Sequence, residues 1–107
     1  PQTDPLNEFF GGNRALYDAY RATSLVQLAK DLEEGDRAVG AGDLEALRRV
    51  AHNLKSALTM LGQAAPAQDA RATEEYAAQS ASAQAHAGWT RLCLQVRAFV
   101  ALNRPGG

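Results

Sequence analysis

Apolar residues recur every three or four positions along almost the whole of this chain, and no stretch of several residues alternates strictly between apolar and polar side chains. The first spacing lines up one face of a helix, whereas a half-buried strand needs the alternation. Alanine, the strongest helix former, supplies 22 of the 107 residues, and half of these lie between Ala64 and Ala87. The sequence therefore predicts an all-α protein.

Glycines mark the ends of the first two predicted helices. A short helix at about 4–10 stops at the glycine pair 11–12, because two consecutive glycines disfavour a helix and favour a turn. A long helix then runs from Asn13 to the glycines of 40–42. Thr23 and its neighbour Ser24 could kink this helix or start it afresh. Its apolar face is formed by Leu16, Tyr20, Leu25, Leu28, Leu32 and Val39.

Three further helices follow, separated by Gly62 and by residues 80–82 (SAS). Asp43 can cap the first of them, Pro66 suits the first turn of the second, and the last runs to about Leu102. Four sizeable helices with short connections and one apolar stripe each are typical of an antiparallel four-helix bundle. We therefore predict such a bundle at about 13–102, with the short helix at about 4–10 in front of it, in a single domain over 1–107.

The third helix carries a histidine on the side opposite its apolar stripe. With Leu54 at the centre of the stripe, His52 lies about 200° round the helix and should face water. Four polar side chains fall within about 60° of it, namely Arg48, Lys55, Ser56 and Thr59. An exposed imidazole is mostly unprotonated near neutral pH and has a free lone pair, so His52 can act as a nucleophile. Its own segment supplies no acid, base or metal-ligating partner, which predicts a site that accepts a group but does little to activate one.

The residues around His52 resemble the phosphorylation motif of histidine-containing phosphotransfer (HPt) domains. The resemblance lies in AHNLKSA at 51–57, in Gly62 ten positions after the histidine, and in the approach GDLEALRRV at 42–50. In length and helix order it covers nearly the whole chain. Two features depart from the pattern: Ser56 stands where many members have glycine, and ALT at 57–59 replaces a stretch that is often richer in serine.

The resemblance implies a phosphoryl carrier without kinase activity of its own, of the kind found in bacterial phosphorelays. His52 would accept a phosphoryl group from an aspartate of a receiver domain, in a hybrid sensor kinase or a response regulator, and pass it to another receiver. The carrier would need no cofactor, since the receiver would bring Mg²⁺. Lys55 would stabilise charge on the phosphoryl group. Receiver contacts are expected at Arg48, Ser56, Thr59 and Gly62, and the carrier is expected to be a monomer.

Charge, cysteine content and hydropathy argue against several other classes of protein. Lys and Arg number 11 against 12 Asp and Glu, so there is no basic surplus for nucleic acid. Cys93 is the single cysteine and can form neither an internal disulfide nor a thiolate metal site, which predicts no metal and a cytoplasmic setting. No apolar run approaches the roughly 20 residues of a membrane span, so no membrane partner is expected. The absent initiator Met and the tail RPGG at 104–107 suggest a piece of a longer protein.

Other conspicuous residues are interpreted as structural. His86 has no charged cluster or ligand spacing around it and is expected to be a solvated surface residue. Cys93 is expected to pack as a small hydrophobe beside the apolar stripe of the last helix. The charged run KDLEE at 30–34 predicts a solvated helix face close to the His52 helix. The aromatic residues that recur at bundle spacing are expected in the core; they are Tyr76, Trp89 and Phe99.

Two other function classes stay open at the level of sequence. The run HNLKSALT at 52–59 also resembles the phosphoacceptor box of dimerising sensor kinases, although Ala57 stands where that box usually has proline. A kinase module of that kind would be an obligate dimer. The third class is an interaction bundle without catalytic function, in which His52 is incidental.

Overall fold

The computed structural model describes residues 4–103, and all its regular structure in that range is helical. The five helices are α1 (Pro5–Phe10), α2 (Arg14–Ala41), α3 (Leu44–Met60), α4 (Ala64–Ala78) and α5 (Ser82–Leu102). The all-α prediction and the predicted order of helices are confirmed. The ends of the predicted 1–107 domain, including the tail at 104–107, lie outside the described residues. None of the helices between residues 4 and 103 is long and apolar enough to cross a membrane.

Asp43 caps α3 as predicted, and Asn13, where the long helix was predicted to begin, caps α2. The Asn13 and Asp43 side chains each accept a hydrogen bond at 3.0 Å from the backbone N–H three residues later, which satisfies a free donor of the first turn. Gly42 adopts the left-handed conformation (φ +67°) between α2 and α3, a conformation that costs glycine little. The helix α2 continues through Thr23, so the suggested break there is not present. Pro66 lies in the first turn of α4, as predicted.

The helices α2 to α5 form the bundle, with connections of only two or three residues that make successive helices antiparallel. Their apolar stripes meet in one continuous core. The stripe of α3 is turned inward as predicted, with Leu54 and Leu58 fully buried. The core residues of α5 are Ala85, Trp89, Leu92, Cys93 and Val96. The antiparallel bundle is therefore confirmed, and α3 presents its opposite face to solvent.

The helices α2 and α5 approach closely at Gly35. A Cβ atom at this position would lie 2.0 Å from the Trp89 ring, so no larger residue fits without displacing the indole. The Trp89 Nε1–H donates to Asp36 Oδ1 at 2.9 Å, and Arg97 bonds to the other oxygen of the same carboxylate at 2.7 Å. Cys93 is buried beside them, as predicted, and burial raises the pKa of its thiol to about 12. This group of side chains ties α2 to α5.

The first turns of α2 lie outside the bundle core. At 1.5 Å per residue, the 28 residues of α2 are much longer than the 17 residues of α3 against which it packs. The short α1 folds back on this extra length, where the Phe10 ring lies 5.4 Å from the rings of Tyr17 and Tyr20. Leu16 stays 53% exposed. The prediction that it belongs to the buried face of α2 is therefore wrong.

Two of the predictions about surface residues are also wrong. Asp31, in the charged run of α2, is only 4% exposed, because it faces the groove between α2 and α3 and not open solvent. His86 is half-buried, and its Nε2 atom is buried with no hydrogen-bond partner among residues 4–103. The other charged residues of the run, Lys30, Glu33 and Glu34, are exposed as predicted.

Candidate functional site

The exposed face of α3 is centred on His52, whose side chain is 56% exposed. Its position follows from the inward stripe, because burial of Leu54 and Ala51 fixes the rotation of α3 about its axis. Ser56, one turn after His52, is also exposed. The structure thus places the imidazole where a second protein can reach it, as the sequence predicted.

A carboxylate from the next helix joins the imidazole to a lysine. The His52 Nδ1 atom lies 2.8 Å from Glu74 Oε2, and the Lys55 Nζ atom donates to Glu74 Oε1 at 2.7 Å. The Glu74 side chain is only 18% exposed, so the contact between α3 and α4 holds it in place. The structure therefore links His52 to Lys55 through Glu74, a residue that was not predicted. The sequence predicted only that His52 and Lys55 lie on the same side of the helix.

The electrostatics of Glu74 determine which nitrogen of His52 is free. Burial of Glu74 acts to raise its pKa, but the hydrogen bonds from Lys55 and His52 outweigh this and hold the pKa below its ordinary value. A carboxylate that is ionised can only accept hydrogen bonds, so Nδ1 of His52 must carry its proton. In the neutral imidazole the lone pair then belongs to Nε2, and no hydrogen bond among residues 4–103 involves that atom.

The remaining predicted site residues, Arg48, Thr59 and Gly62, form no hydrogen bond with Glu74, and each has a different environment. The Arg48 guanidinium is bonded to Glu45 on its own helix, with Nε 3.3 Å from Oε2. The Thr59 hydroxyl donates to the backbone carbonyl of Lys55 at 2.8 Å. Gly62 is half-buried and adopts φ +74°, where it ends the turn after α3. Arg48 and Thr59 are therefore on the His52 side of α3, while Gly62 has a structural role at its end.

The sequence indicates that Glu74 faces another helix but does not identify its partner. The buried residues of α4 are Pro66, Ala70, Thr73 and Ala77, and Glu74 lies about 40° from Ala70 on a helical wheel, at the border of this stripe. Its neighbour Glu75 lies on the outer side and is exposed. The wheel thus favours Glu74 as the carboxylate that faces another helix. It does not say that this helix is α3 or that the partner is His52.

Two grooves border the exposed ridge of α3. On the α4 side, a groove of about 150 Å³ is lined by Lys55, Thr59, Ala64, Ala67, Gln68 and Arg71. On the α2 side, a groove of about 260 Å³ is lined by Tyr20, Thr23, Ser24, Gln27, Leu28, Asp31, Asn53 and Ala57. One groove therefore carries two cations, whereas the charged residue of the other is an acid.

The arrangement can orient an imidazole and offer its Nε2 lone pair to an electrophile brought by another molecule. Across residues 4–103, no group of three or more His, Cys, Asp or Glu side chains is placed to hold a metal ion. The chemistry that these residues can perform is nucleophilic acceptance at one exposed atom, with a carboxylate behind the ring.

Comparison with known proteins agrees with this arrangement. The sequence model of the Hpt domain family matches residues 19–101, which include α3, α4, all of α5 but its last residue, and α2 without its first five residues. Searches of curated proteins and of solved structures returned no significant match. Because the family match covers most of the chain, the resemblance noted around His52 is part of a relationship that extends over the whole bundle. The chain therefore belongs to the Hpt domain family, whose members transfer phosphoryl groups in two-component relays.

Proposed function

We propose that this chain is a phosphorelay intermediate in which His52 accepts a phosphoryl group from a receiver-domain aspartate and passes it to an aspartate of another receiver. The observation that carries the proposal is the 2.8 Å contact between Nδ1 of His52 and Glu74. It keeps the proton on Nδ1 and leaves the Nε2 lone pair on an exposed ring. A buried or metal-bound imidazole could not reach the phosphorus atom of a partner protein.

In the proposed step, the Nε2 lone pair attacks the phosphorus of the receiver's aspartyl phosphate. The N–P bond forms as the P–O bond to the aspartyl group breaks, and the aspartate leaves as a carboxylate with the electron pair. No proton has to move, because Nδ1–H stays bonded to Glu74 and the ring becomes a phosphoimidazolium cation. The Glu74 carboxylate stabilises this cation. Transfer to the next receiver is the same step in reverse, which restores the neutral ring.

Lys55 and the surrounding surface have supporting roles in the proposal. The Lys55 ammonium holds one oxygen of Glu74 and stabilises negative charge on the phosphoryl group in transit. The receiver supplies Mg²⁺, so the carrier needs no cofactor of its own. We expect the receiver to contact Arg48, Ser56, Thr59 and Gly62.

Phosphoryl transfer from isolated receivers tests the proposal. Receiver domains of the source organism are labelled with a ³²P-labelled small phosphodonor, freed of excess donor and mixed with the chain. We expect acid-labile, base-stable label on the parent protein and none on His52→Gln. His86→Gln is the matched control, since it removes the other histidine and should be labelled like the parent. Label on His52→Gln, or no label on the parent from any receiver, would overturn the assignment.

Two alternatives give different results in the same preparation. A dimerising sensor kinase fragment would be a dimer in solution, whereas we expect a monomer by light scattering. A bundle used only for interaction would bind partners without taking up label.

Fractionation of the source cells tests the expected cytoplasmic location.

A further inference from the structure

The groove between α2 and α3 contains a carboxylate that no cation in the described part of the chain compensates. Asp31 is 4% exposed and lines the groove with polar neighbours from α2 and with Asn53 and Ala57 from α3. Its one hydrogen bond among residues 4–103 comes from Gln27, whose Nε2 atom lies 3.0 Å from Oδ1. No Lys, Arg or His of that range lies within 4.0 Å of it.

The environment of Asp31 is unfavourable for an ionised carboxylate in the free protein. Burial raises the pKa of Asp31, the Gln27 hydrogen bond lowers it in part, and the nearby charge of Glu34 raises it again. A buried charge without a partner is costly, whereas a carboxylate that meets a cation in the same place is stabilised by a short, charge-assisted hydrogen bond. The groove has a volume of about 260 Å³, so a side chain can enter it.

The position of the groove relates it to the phosphoacceptor. Asn53 directly follows His52 and lies about 100° from it on the α2 side of α3, whereas Glu74 is bonded to His52 from the α4 side. A stable protein interface covers about 800 Å² on each partner, a patch of roughly 16 Å radius. Packed helices lie about 8–10 Å apart. A receiver seated over His52 therefore also covers the α2–α3 groove.

We propose that the α2–α3 groove binds a lysine or arginine side chain of the docked receiver, with Asp31 as its counter-ion. This inference rests on the proposed function, because it takes the receiver as the partner. The opposite groove contains Lys55 and Arg71; Lys55 is paired with Glu74, whereas Arg71 has no acidic partner within 4.0 Å among residues 4–103. The uncompensated charge of the two grooves is therefore opposite, with Asp31 in one and Arg71 in the other. A receiver with a basic side chain over α2 and an acidic one over α4 is accepted in that orientation, and the reversed orientation is disfavoured by like charges.

The binding kinetics of Asp31→Asn test the inference. The probe is the receiver domain that labels His52 fastest in the transfer experiment, immobilised for measurement of association and dissociation rates. Asparagine keeps the size of the side chain and the acceptor for Gln27 but removes the charge. Because a desolvated charge pair acts mainly on dissociation, we expect about tenfold faster dissociation and little change in association. Phosphoryl transfer at saturating receiver should keep the parental rate.

Glu33→Gln is the matched control, since it makes the same charge change on α2. Glu33 is exposed and lines a different groove, between α2 and α5. The receiver should therefore dissociate from Glu33→Gln at the same rate as from the parent protein. Parental dissociation of Asp31→Asn, or equally fast dissociation of Glu33→Gln, would overturn the inference while labelling of His52 left the proposed function intact. If the parent protein accepted no label from any receiver, the proposed function itself would be refuted.

A double-mutant cycle identifies the partner residue and does not depend on one variant alone. Each Lys and Arg on the receiver surface around the phosphorylated aspartate is changed to Gln and measured against parent and Asp31→Asn. We expect one receiver residue whose loss weakens binding to the parent but not to Asp31→Asn, because the pair is already broken. Additive effects for all of them would contradict the proposed contact.

Discussion

Replacement of Glu74 by Gln tests how much the carboxylate behind the ring contributes to phosphoryl transfer. The substitution keeps the size of the side chain and removes the charge that faces the phosphoimidazolium cation. Two unit charges 4 Å apart interact by about 1 kcal/mol in water and by about 4 kcal/mol at an effective dielectric constant of 20. The His52 side chain is 56% exposed, so solvent screening places the loss near the lower value, at about 1–2 kcal/mol. We therefore expect transfer to be roughly 5- to 30-fold slower.

The assay is single-turnover transfer from a ³²P-labelled receiver, followed by rapid quench at receiver concentrations high enough to saturate binding. Saturation separates the rate within the complex from the affinity, so a docking effect does not imitate a chemical one. Transfer to His52 should show this slowing, whereas transfer from phosphorylated His52 should slow little, because loss of Glu74 destabilises the phosphoimidazolium ground state of the return step as well as its transition state.

Glu75→Gln is the matched control for this experiment. Glu75 is the neighbouring carboxylate on α4 and is exposed, so its replacement makes the same net charge change away from the ring. Its transfer rate should stay close to the parent's. If Glu74→Gln also transferred within about twofold of the parent, stabilisation of the cation by Glu74 would be refuted, since about 0.4 kcal/mol is less than any screened value above.

Three further substitutions have expected outcomes. Lys55→Ala should slow phosphoryl transfer several-fold to about tenfold in both directions, with a smaller change in affinity for the receiver. Rapid-quench transfer rates and receiver affinity, measured at two salt concentrations, check this. If the variant lost affinity but kept the parental transfer rate within the complex, Lys55 would be a docking residue. Leu54→Ala should lower the free energy of unfolding by about 2–5 kcal/mol, measured by urea titration, and a loss below about 1 kcal/mol would contradict the burial of this side chain. Asp31→Asn should be more stable than the parent at pH 7. Because the pKa of Asp31 is raised in the folded protein, the parent loses stability as the pH rises through that pKa. In thermal melts, the greater stability of Asp31→Asn should therefore disappear at a pH below the pKa of Asp31 in the unfolded chain. If Asp31→Asn were still more stable there, the buried charge would not be the reason for its greater stability.

Much of the fold could be predicted because it depends on local signals. The caps at Asn13 and Asp43, the glycine at 42 and the stripe centred on Leu54 act within one or two helical turns, so the spacing of residues along the chain contains them. The same stripe places His52 on the outer face. The exposure of Leu16 could not be predicted in this way, because it depends on how far α2 extends past its neighbours.

The helices, the inward face of α3 and the nucleophile on its opposite face can be predicted from the order of amino acids, since each follows from the 3.6-residue period of a single helix. The partners of that nucleophile depend on how the helices pack. Glu74 is 22 residues from His52 along the chain, and it reaches Nδ1 because α4 is rotated so that its small buried residues pack on the core. Asp31 faces the α2–α3 groove for the same kind of reason. The rotation and spacing of two packed helices depend on the side chains of both helices, and the periodicity of either helix alone does not determine them.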